Sequence, residues 1–133
     1  MEPVTTAIVA ALTAGATAGI TDTAKIAITD AYQKLKDLLQ KKFGGESNLV
    51  KSVELLEAKP AHLPRQQTLD EEIIDVKAYQ DPDIMQAVQH VLQQIKAQPA
   101  GERHVQHVIG NYNAVVQGSG NTTVMNVNTP RQA

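Results

Sequence analysis

The chain has 133 residues, a formal net charge of −2 and no cysteine. This length supports one compact domain with a tail, the lack of cysteine excludes disulfides and thiolate metal sites, and the near-neutral charge argues against a general nucleic-acid binder. Because aromatic residues make up only 3% of the chain, we expect the core to rest on Leu, Ile, Val and Ala.

The first twenty residues are apolar, but no basic residue precedes the apolar run, so a secretory signal is not predicted. A first helix is predicted from Pro3, a residue favoured at the first helical position. No charged side chain occurs from Pro3 to Thr21, a length that just suffices for a helix to cross a bilayer. Since the run consists mostly of Ala, Thr and Gly, its insertion energy is marginal. A permanent membrane span is therefore not predicted, and a conditional one stays open.

Small residues recur at every fourth position of this first segment, at Ala7, Ala11, Gly15 and Gly19. On one continuous helix they share a face, and small side chains there let two helix backbones approach closely. Two interpretations stay open: tight packing at the centre of a small bundle, or oligomerisation of the helix in a membrane.

A second helix is predicted over Thr23 to Phe43 and ends at Gly44-Gly45. Asp22 is a candidate cap for it, although continuity with the first helix is the alternative. Its lysines predict a basic cluster for an anionic lipid surface, with an ordinary solvated face as the alternative. The lysines of this cluster are Lys34, Lys36, Lys41 and Lys42.

A third helix is predicted from Ser47, a good N-cap residue, to a point before Pro60. The proline-containing segment 59–67 reads as a loop. Thr68 and Glu71 then have the spacing of a capping box, which predicts the start of a fourth helix, although residues 72–76 also fit a strand.

The last helix of the bundle is predicted to start at Asp81-Pro82, a cap followed by an N1 proline, and to run to Ala97. The composition then changes at Pro99 to Gly101. We therefore expect an all-α bundle of four to five helices over residues 1–97, a linker over 98–104, and a tail over 105–129 that is flexible, or cross-β when assembled.

The tail contains a repeat with a period of about eight, in which Gly110–Gln117 superposes on Gly118–Met125. Identical copies of such a charge-poor segment can stack in register, with amide ladders from Asn and Gln and a dry interface of valines. A flexible tail or a simple hairpin is the alternative. The residues assigned to the motif are Val108, Gly110, Asn113, Val116, Gln117, Gly118, Asn121 and Val124.

An enzyme is the weakest interpretation of the sequence. Its four histidines are His62, His90, His104 and His107, and no carboxylate or cysteine cluster completes a metal site around the last two. We interpret His104 and His107 as tail residues and predict no catalytic residue, no metal and no cofactor.

The segment NAVVQGSGN resembles the RIP-homotypic-interaction-motif and bacterial amyloid signalling motifs, in which Val-Gln runs into Gly-x-x-Asn. Here Val116-Gln117-Gly118 and Asn121 match that pattern, and Gly follows Gln directly, so the bacterial version fits better. The N-terminal segments MEPVTTAIVAAL and AYQKLKDLLQKKFG resemble the bacterial Bell domain, which is similar to fungal HeLo domains and to the executioner bundle of necroptosis.

This resemblance implies a cell-death effector that is cytoplasmic at rest and acts at the cell membrane. An NLR-like receptor with a matching motif would template its homotypic amyloid assembly, and the gathered helical domains would then disrupt the membrane. No nucleic-acid partner is implied. The alternative is a non-toxic adaptor or scaffold that polymerises through the same motif.

Overall fold

A computed structural model describes the backbone of residues 1–120 and the side chains of residues 1–112. Within residues 1–120 the secondary structure is entirely helical, which confirms the all-α bundle, with six α-helices where four to five were expected. Short 3-10 turns follow the first and fourth helices, at Ala14–Ala16 and Ala78–Gln80. The helices are α1 (Pro3–Thr13), α2 (Asp22–Phe43), α3 (Asn48–Ala58), α4 (Leu63–Val76), α5 (Pro82–Lys96) and α6 (Gly101–Gly120).

Two helix starts that the sequence predicts are confirmed by their caps. Ser47 Oγ accepts a hydrogen bond from the backbone N–H of Val50 at 3.2 Å, at the start of α3. Asp81 Oδ1 accepts from the N–H groups of Asp83 at 2.9 Å and Ile84 at 3.2 Å, and Pro82 follows at the start of α5. Each cap satisfies backbone donors that have no partner within the helix.

The start of α2 differs from the prediction. Thr21, not Asp22, is the N-cap, and its hydroxyl accepts from the backbone N–H of Ala24 at 3.2 Å. α1 and α2 are not continuous, because α1 ends at Thr13 and Gly19 has a φ of 90°. Glycine adopts this left-handed conformation readily, and here it separates the 3-10 turn from the start of α2.

The start of α4 was also predicted wrongly. The helix begins at Leu63, so most of the expected loop over 59–67 is helical, and Pro64 lies in the first turn, where a missing N–H costs nothing. Thr68 consequently lies inside the helix, and its hydroxyl donates to the carbonyl of Pro64 at 3.0 Å instead of forming a capping box. Residues 72–76 continue α4 and do not form a strand.

α1 is the central helix of the bundle and packs against α2, α4, α5 and α6. Every residue from Val4 to Ala10 is buried, so this helix is enclosed on all sides. A helix that is apolar all round is stable only in such a position, because no face of it gains from contact with water. The uncharged N-terminal segment is therefore the centre of the core in this conformation.

α6 extends the bundle beyond the boundary expected at residue 97. Its Val105 and Val108 are buried and Ile109 packs against the core, a spacing typical of one helix face. The expected linker at 98–104 is in fact a short turn and the first turn of α6. Gly101 makes this turn possible, since a Cβ there would lie 1.6 Å from the carbonyl oxygen of Ile95.

Candidate functional site

A buried carboxylate on α4 holds the start of α1. Oδ1 of Asp70 accepts hydrogen bonds from the backbone N–H of Glu2 at 2.8 Å and from the hydroxyl of Thr5 at 2.9 Å. Glu2 is the N-cap residue of α1, so the negative charge of Asp70 lies at the positive end of the helix dipole, where it is stabilising. Asp70 thus caps α1 from a neighbouring helix.

The same carboxylate also binds α6. Oδ2 of Asp70 accepts a hydrogen bond from the hydroxyl of Tyr112 at 3.0 Å. Burial, followed by the hydrogen bond to Asp70 and the charges of Asp70 and Glu71, raises the pKa of Tyr112 to about 12. The phenol is therefore a protonated donor at neutral pH, and one carboxylate joins α1, α4 and α6.

A second attachment lies at the other end of α1. Nε2 of His104 on α6 is 2.9 Å from the carbonyl oxygen of Ala10 and 2.9 Å from the hydroxyl oxygen of Thr13, and Nδ1 is 3.0 Å from that of Thr17. A carbonyl only accepts, and the Thr13 hydroxyl donates to the carbonyl of Val9 at 2.8 Å, so these partners assign the proton to Nε2. Nδ1 is then the acceptor of the pair with Thr17, whose hydroxyl proton has the carbonyl of Thr13 as a second acceptor at 3.3 Å. Each nitrogen of this buried ring has a partner in or just beyond α1.

These contacts fasten α6 antiparallel to α1, directly at the end of the central helix through His104 and indirectly at its start through Asp70 of α4. We call Asp70, His104 and Tyr112, with the α1 groups that they bind, the clasp. His104 and Tyr112 are eight residues apart, about 12 Å along a helix, so they lie on one face of α6 together with the buried Val108. The tail segment and the central helix are thereby linked through specific polar contacts as well as packing.

A protein-family model described as the Het-E N-terminal domain matches residues 1–132, almost the whole chain. The chain belongs to the Het-E N-terminal domain family. This is a HeLo-like cell-death domain family, which confirms the HeLo-like part of the resemblance read from the N-terminal segments. No curated protein and no solved structure matches the chain.

In this Het-E N-terminal domain the four small residues of the first segment do not form one helix face, contrary to the expectation. Ala7 and Ala11 lie on α1, but Gly15 belongs to the 3-10 turn and Gly19 follows it with a φ of 90°. A Cβ on Gly19 would lie 3.0 Å from the Cβ of Ala100, so this glycine permits a close approach to the turn before α6. At Gly15 a Cβ would meet no described atom within 4 Å.

The four lysines of α2 do not share one exposed surface. Nζ of Lys36 is 2.9 Å from Glu57 on α3, and Nζ of Lys42 is 2.9 Å from Asp81 at the start of α5. Among the described residues, Lys34 and Lys41 are exposed and make no ion pair. Two lysines of the predicted basic cluster therefore join helices of the bundle, one of them (Lys42) at an exposed position, and the other two are exposed without an ion pair among the described residues.

The predicted amyloid motif begins inside the clasped helix. Val108 is buried against the core and Gly110 is exposed one turn beyond His107. Helical backbone of α6 also includes Asn113, Val116, Gln117 and Gly118. Asn121 and Val124 lie outside the described residues. The cross-β form is an expectation about assembled chains, and it stays a prediction.

Within residues 1–120, no helix has both the length and the apolar character needed to span a bilayer. In the same part of the chain, no group of three or more His, Asp or Glu side chains is placed to hold a metal ion. His104 and Tyr112 lie in the segment interpreted from the sequence as a tail, and their contacts with the bundle were not predicted. The signal that would have found them is the helical spacing of His104, Val108 and Tyr112, four residues apart.

Proposed function

We propose that the chain is a cell-death effector whose C-terminal motif assembles into amyloid and whose helical domain then disrupts membranes. The family supports a role in cell death, and one structural observation supports the coupling. That observation is the clasp, in which the helix that carries the start of the repeat binds the end of the apolar central helix directly and the start of that helix through Asp70 of α4.

Assembly of the tail and the clasp exclude each other physically. A residue in a strand advances the chain by about 3.3 Å, against about 1.5 Å in a helix, and the two states need different backbone angles. If residues 105–129 enter a cross-β stack, α6 must unwind from near Val105. Tyr112 then leaves Asp70. His104, which directly precedes Val105, loses the helix that positions it against Ala10.

Loss of α6 removes one of the four helices that enclose α1, whose Val4, Ala7 and Ile8 are fully buried in the clasped state. Stacked tails bring many such helices together at a high effective concentration. α1 has 11 residues and is about 16 Å long, roughly half the thickness of a bilayer core. Membrane disruption in our proposal therefore requires that the uncharged segment 14–21 joins the helix, or that several short helices insert together.

The partner and the location follow from the same proposal. An NLR-like receptor with a matching motif would supply the first template, and further copies of the chain would extend it. The protein would be cytoplasmic at rest and would act at the cell membrane, where the exposed Lys34 and Lys41 favour an anionic leaflet. The proposal includes no enzymatic activity, cofactor or nucleic acid.

A vesicle-leakage assay with fibril seeds tests this proposal. Preformed fibrils of a peptide spanning residues 102–133 are added to the full chain and to anionic vesicles loaded with a quenched dye. We expect seeded leakage with wild-type protein, and little with Gln117→Pro, because proline removes a backbone donor from the stack. Fibrils of the full chain without leakage under any seeding condition would indicate an adaptor instead, and a failure to assemble would overturn the proposal as a whole.

A further inference from the structure

A cavity of about 290 Å³ lies where α1, α4 and α6 meet, beside the clasp. Val9 and Val108 form part of its apolar wall, and Thr13, Thr17 and Asn111 add hydrogen-bonding groups. His104 and His107 also line it, and it contains no Asp, Glu, Lys or Arg side chain. This volume is at the lower end of the range for small-molecule sites in proteins.

The lining determines which chemistry fits. A charged molecule would lose its hydration without meeting an opposite charge, whereas an uncharged one with a small apolar body can use both walls. We propose that this cavity binds a small uncharged molecule of about ten non-hydrogen atoms with an N–H or O–H donor. The ligand contacts α6 and α1 at once, between the two attachments of the clasp.

The ligand in our proposal carries an N–H or O–H donor because of Gln66 on α4. This side chain lines the cavity and is 4% exposed, and its Nε2 donates to the carbonyl of Pro60 at 2.8 Å. That bond identifies which end of the amide is Nε2 and leaves Oε1, which is buried, without a hydrogen-bond partner among the described residues. Buried acceptors are normally satisfied, and in our proposal the Gln66 amide rotates to present this oxygen to a donor in the cavity.

Binding has a consequence for the clasp, and this consequence rests on the proposed function. A molecule that binds only while α6 lies against α1 stabilises the clasped state by RT ln(1 + c/Kd), where c is its free concentration and Kd its dissociation constant. The ligand is in our proposal an inhibitor of assembly that acts by holding α6 in place. The binding step itself depends on the resting domain alone.

Three nearly isosteric probes test the site: benzamide, which is neutral, benzoate, which is anionic, and benzamidinium, which is cationic. Each is titrated into the full chain while the methyl resonances of Thr13, Thr17 and Val108 are recorded by NMR. We expect benzamide to shift these resonances and saturate in the millimolar range, with binding of both charged probes at least tenfold weaker. Equal responses to all three probes, or none to benzamide, would overturn the proposal.

Substitutions in and outside the cavity lining test whether benzamide binds in this cavity. Ala16→Leu enlarges a side chain that lines the cavity and should abolish the benzamide shifts, whereas Ala18→Leu makes the same change outside the cavity and should not; both positions are exposed. Benzamide should also slow amide hydrogen exchange in residues 104–112 severalfold. If exchange is unchanged on saturation, the stabilisation of the clasp is wrong. Failure of seeded leakage alone, with binding intact, would instead count against the proposed function.

Discussion

The hydroxyl of Tyr112 donates to Oδ2 of Asp70 at 3.0 Å, while Oδ1 of the same carboxylate accepts from Glu2 and Thr5 at the start of α1. Asp70 is 7% exposed, so it is a largely buried charge whose oxygens depend on these donors. Hydrogen bonds to ionised groups are stronger than those between neutral groups. The attachment of α6 is thus coupled directly to the attachment of α1.

Tyr112→Phe should loosen α6 without unfolding the bundle. It removes one hydrogen bond to a charged group, which should lower the free energy that holds α6 in place by about 1–3 kcal/mol. We therefore expect faster amide exchange in α6 and faster seeded assembly. Tyr79→Phe is the matched control, because Tyr79 packs against the core and its hydroxyl makes no hydrogen bond within the described residues. Equal effects of the two variants would show that the Asp70 contact does not hold α6.

Two glycines of α6 should respond in opposite directions to alanine. Gly101→Ala places a Cβ against the carbonyl of Ile95 at the start of the helix, and we expect a loss of about 1–3 kcal/mol, typical of overpacking. A Cβ at Gly110 would meet no described atom within 4 Å, so Gly110→Ala should stabilise the helix by about 1 kcal/mol. Urea denaturation followed by circular dichroism measures both. A stable Gly101→Ala variant would contradict the tight α5–α6 turn.

The bundle was predictable wherever local chemistry decides the structure. Ser47 and Asp81 combine a capping oxygen with a following amphipathic segment, and both helix starts are where the sequence placed them. The helix start predicted at Thr68 was wrong because a capping pattern reports only local chemistry. Pro64 fits the first turn of a helix equally well, and burial of Gln66 and Leu69 favours the longer helix.

The clasp was not predictable in the same way. Its bonds join Asp70 to Glu2 across 68 residues and His104 to Ala10 across 94, and no sequence periodicity reports such distances. The segment from Val105 onward also fits two structures: a helical stripe over a few residues, and a period-eight strand repeat over a longer stretch. In the single chain, packing against α1 selects the helix, because an isolated strand has no partner to satisfy its backbone.

His104→Leu should weaken the second attachment. The substitution places an apolar side chain in the buried position but removes the ring nitrogens that bind the carbonyl of Ala10 and the hydroxyl of Thr17. We expect the free energy of unfolding to fall by about 1–3 kcal/mol. Assembly should then begin at a lower concentration of fibril seeds. His107→Leu, an exposed position one turn away, is the control and should change the denaturation midpoint little. If the two variants have the same midpoint, His104 does not hold α6.

Gly15→Leu separates the resting state from the membrane state. Because a Cβ at Gly15 would meet no described atom within 4 Å, this substitution should leave the thermal midpoint of the resting domain nearly unchanged. If small residues pack helices together in the membrane, the bulky side chain should reduce seeded leakage severalfold while fibril growth stays normal. Full leakage by Gly15→Leu at wild-type stability would exclude close packing at this position.

Alkaline pH should release α6 through Tyr112. The folded state raises the pKa of this phenol from 10.0 to about 12, so it holds the proton more tightly than the unfolded chain does. The resulting stability is complete below pH 10 and is lost as the pH rises toward 12, because the unfolded chain gives up its proton first.

Burial and the hydrogen bond to Glu57 also raise the pKa of Tyr32, so the titration is compared in Tyr32→Phe and Tyr112→Phe backgrounds. Amide exchange in α6 should accelerate over this range with Tyr112 present, and the acceleration should be absent in Tyr112→Phe. A response that persists in Tyr112→Phe and disappears in Tyr32→Phe would assign the alkaline transition to the α2–α3 contact instead.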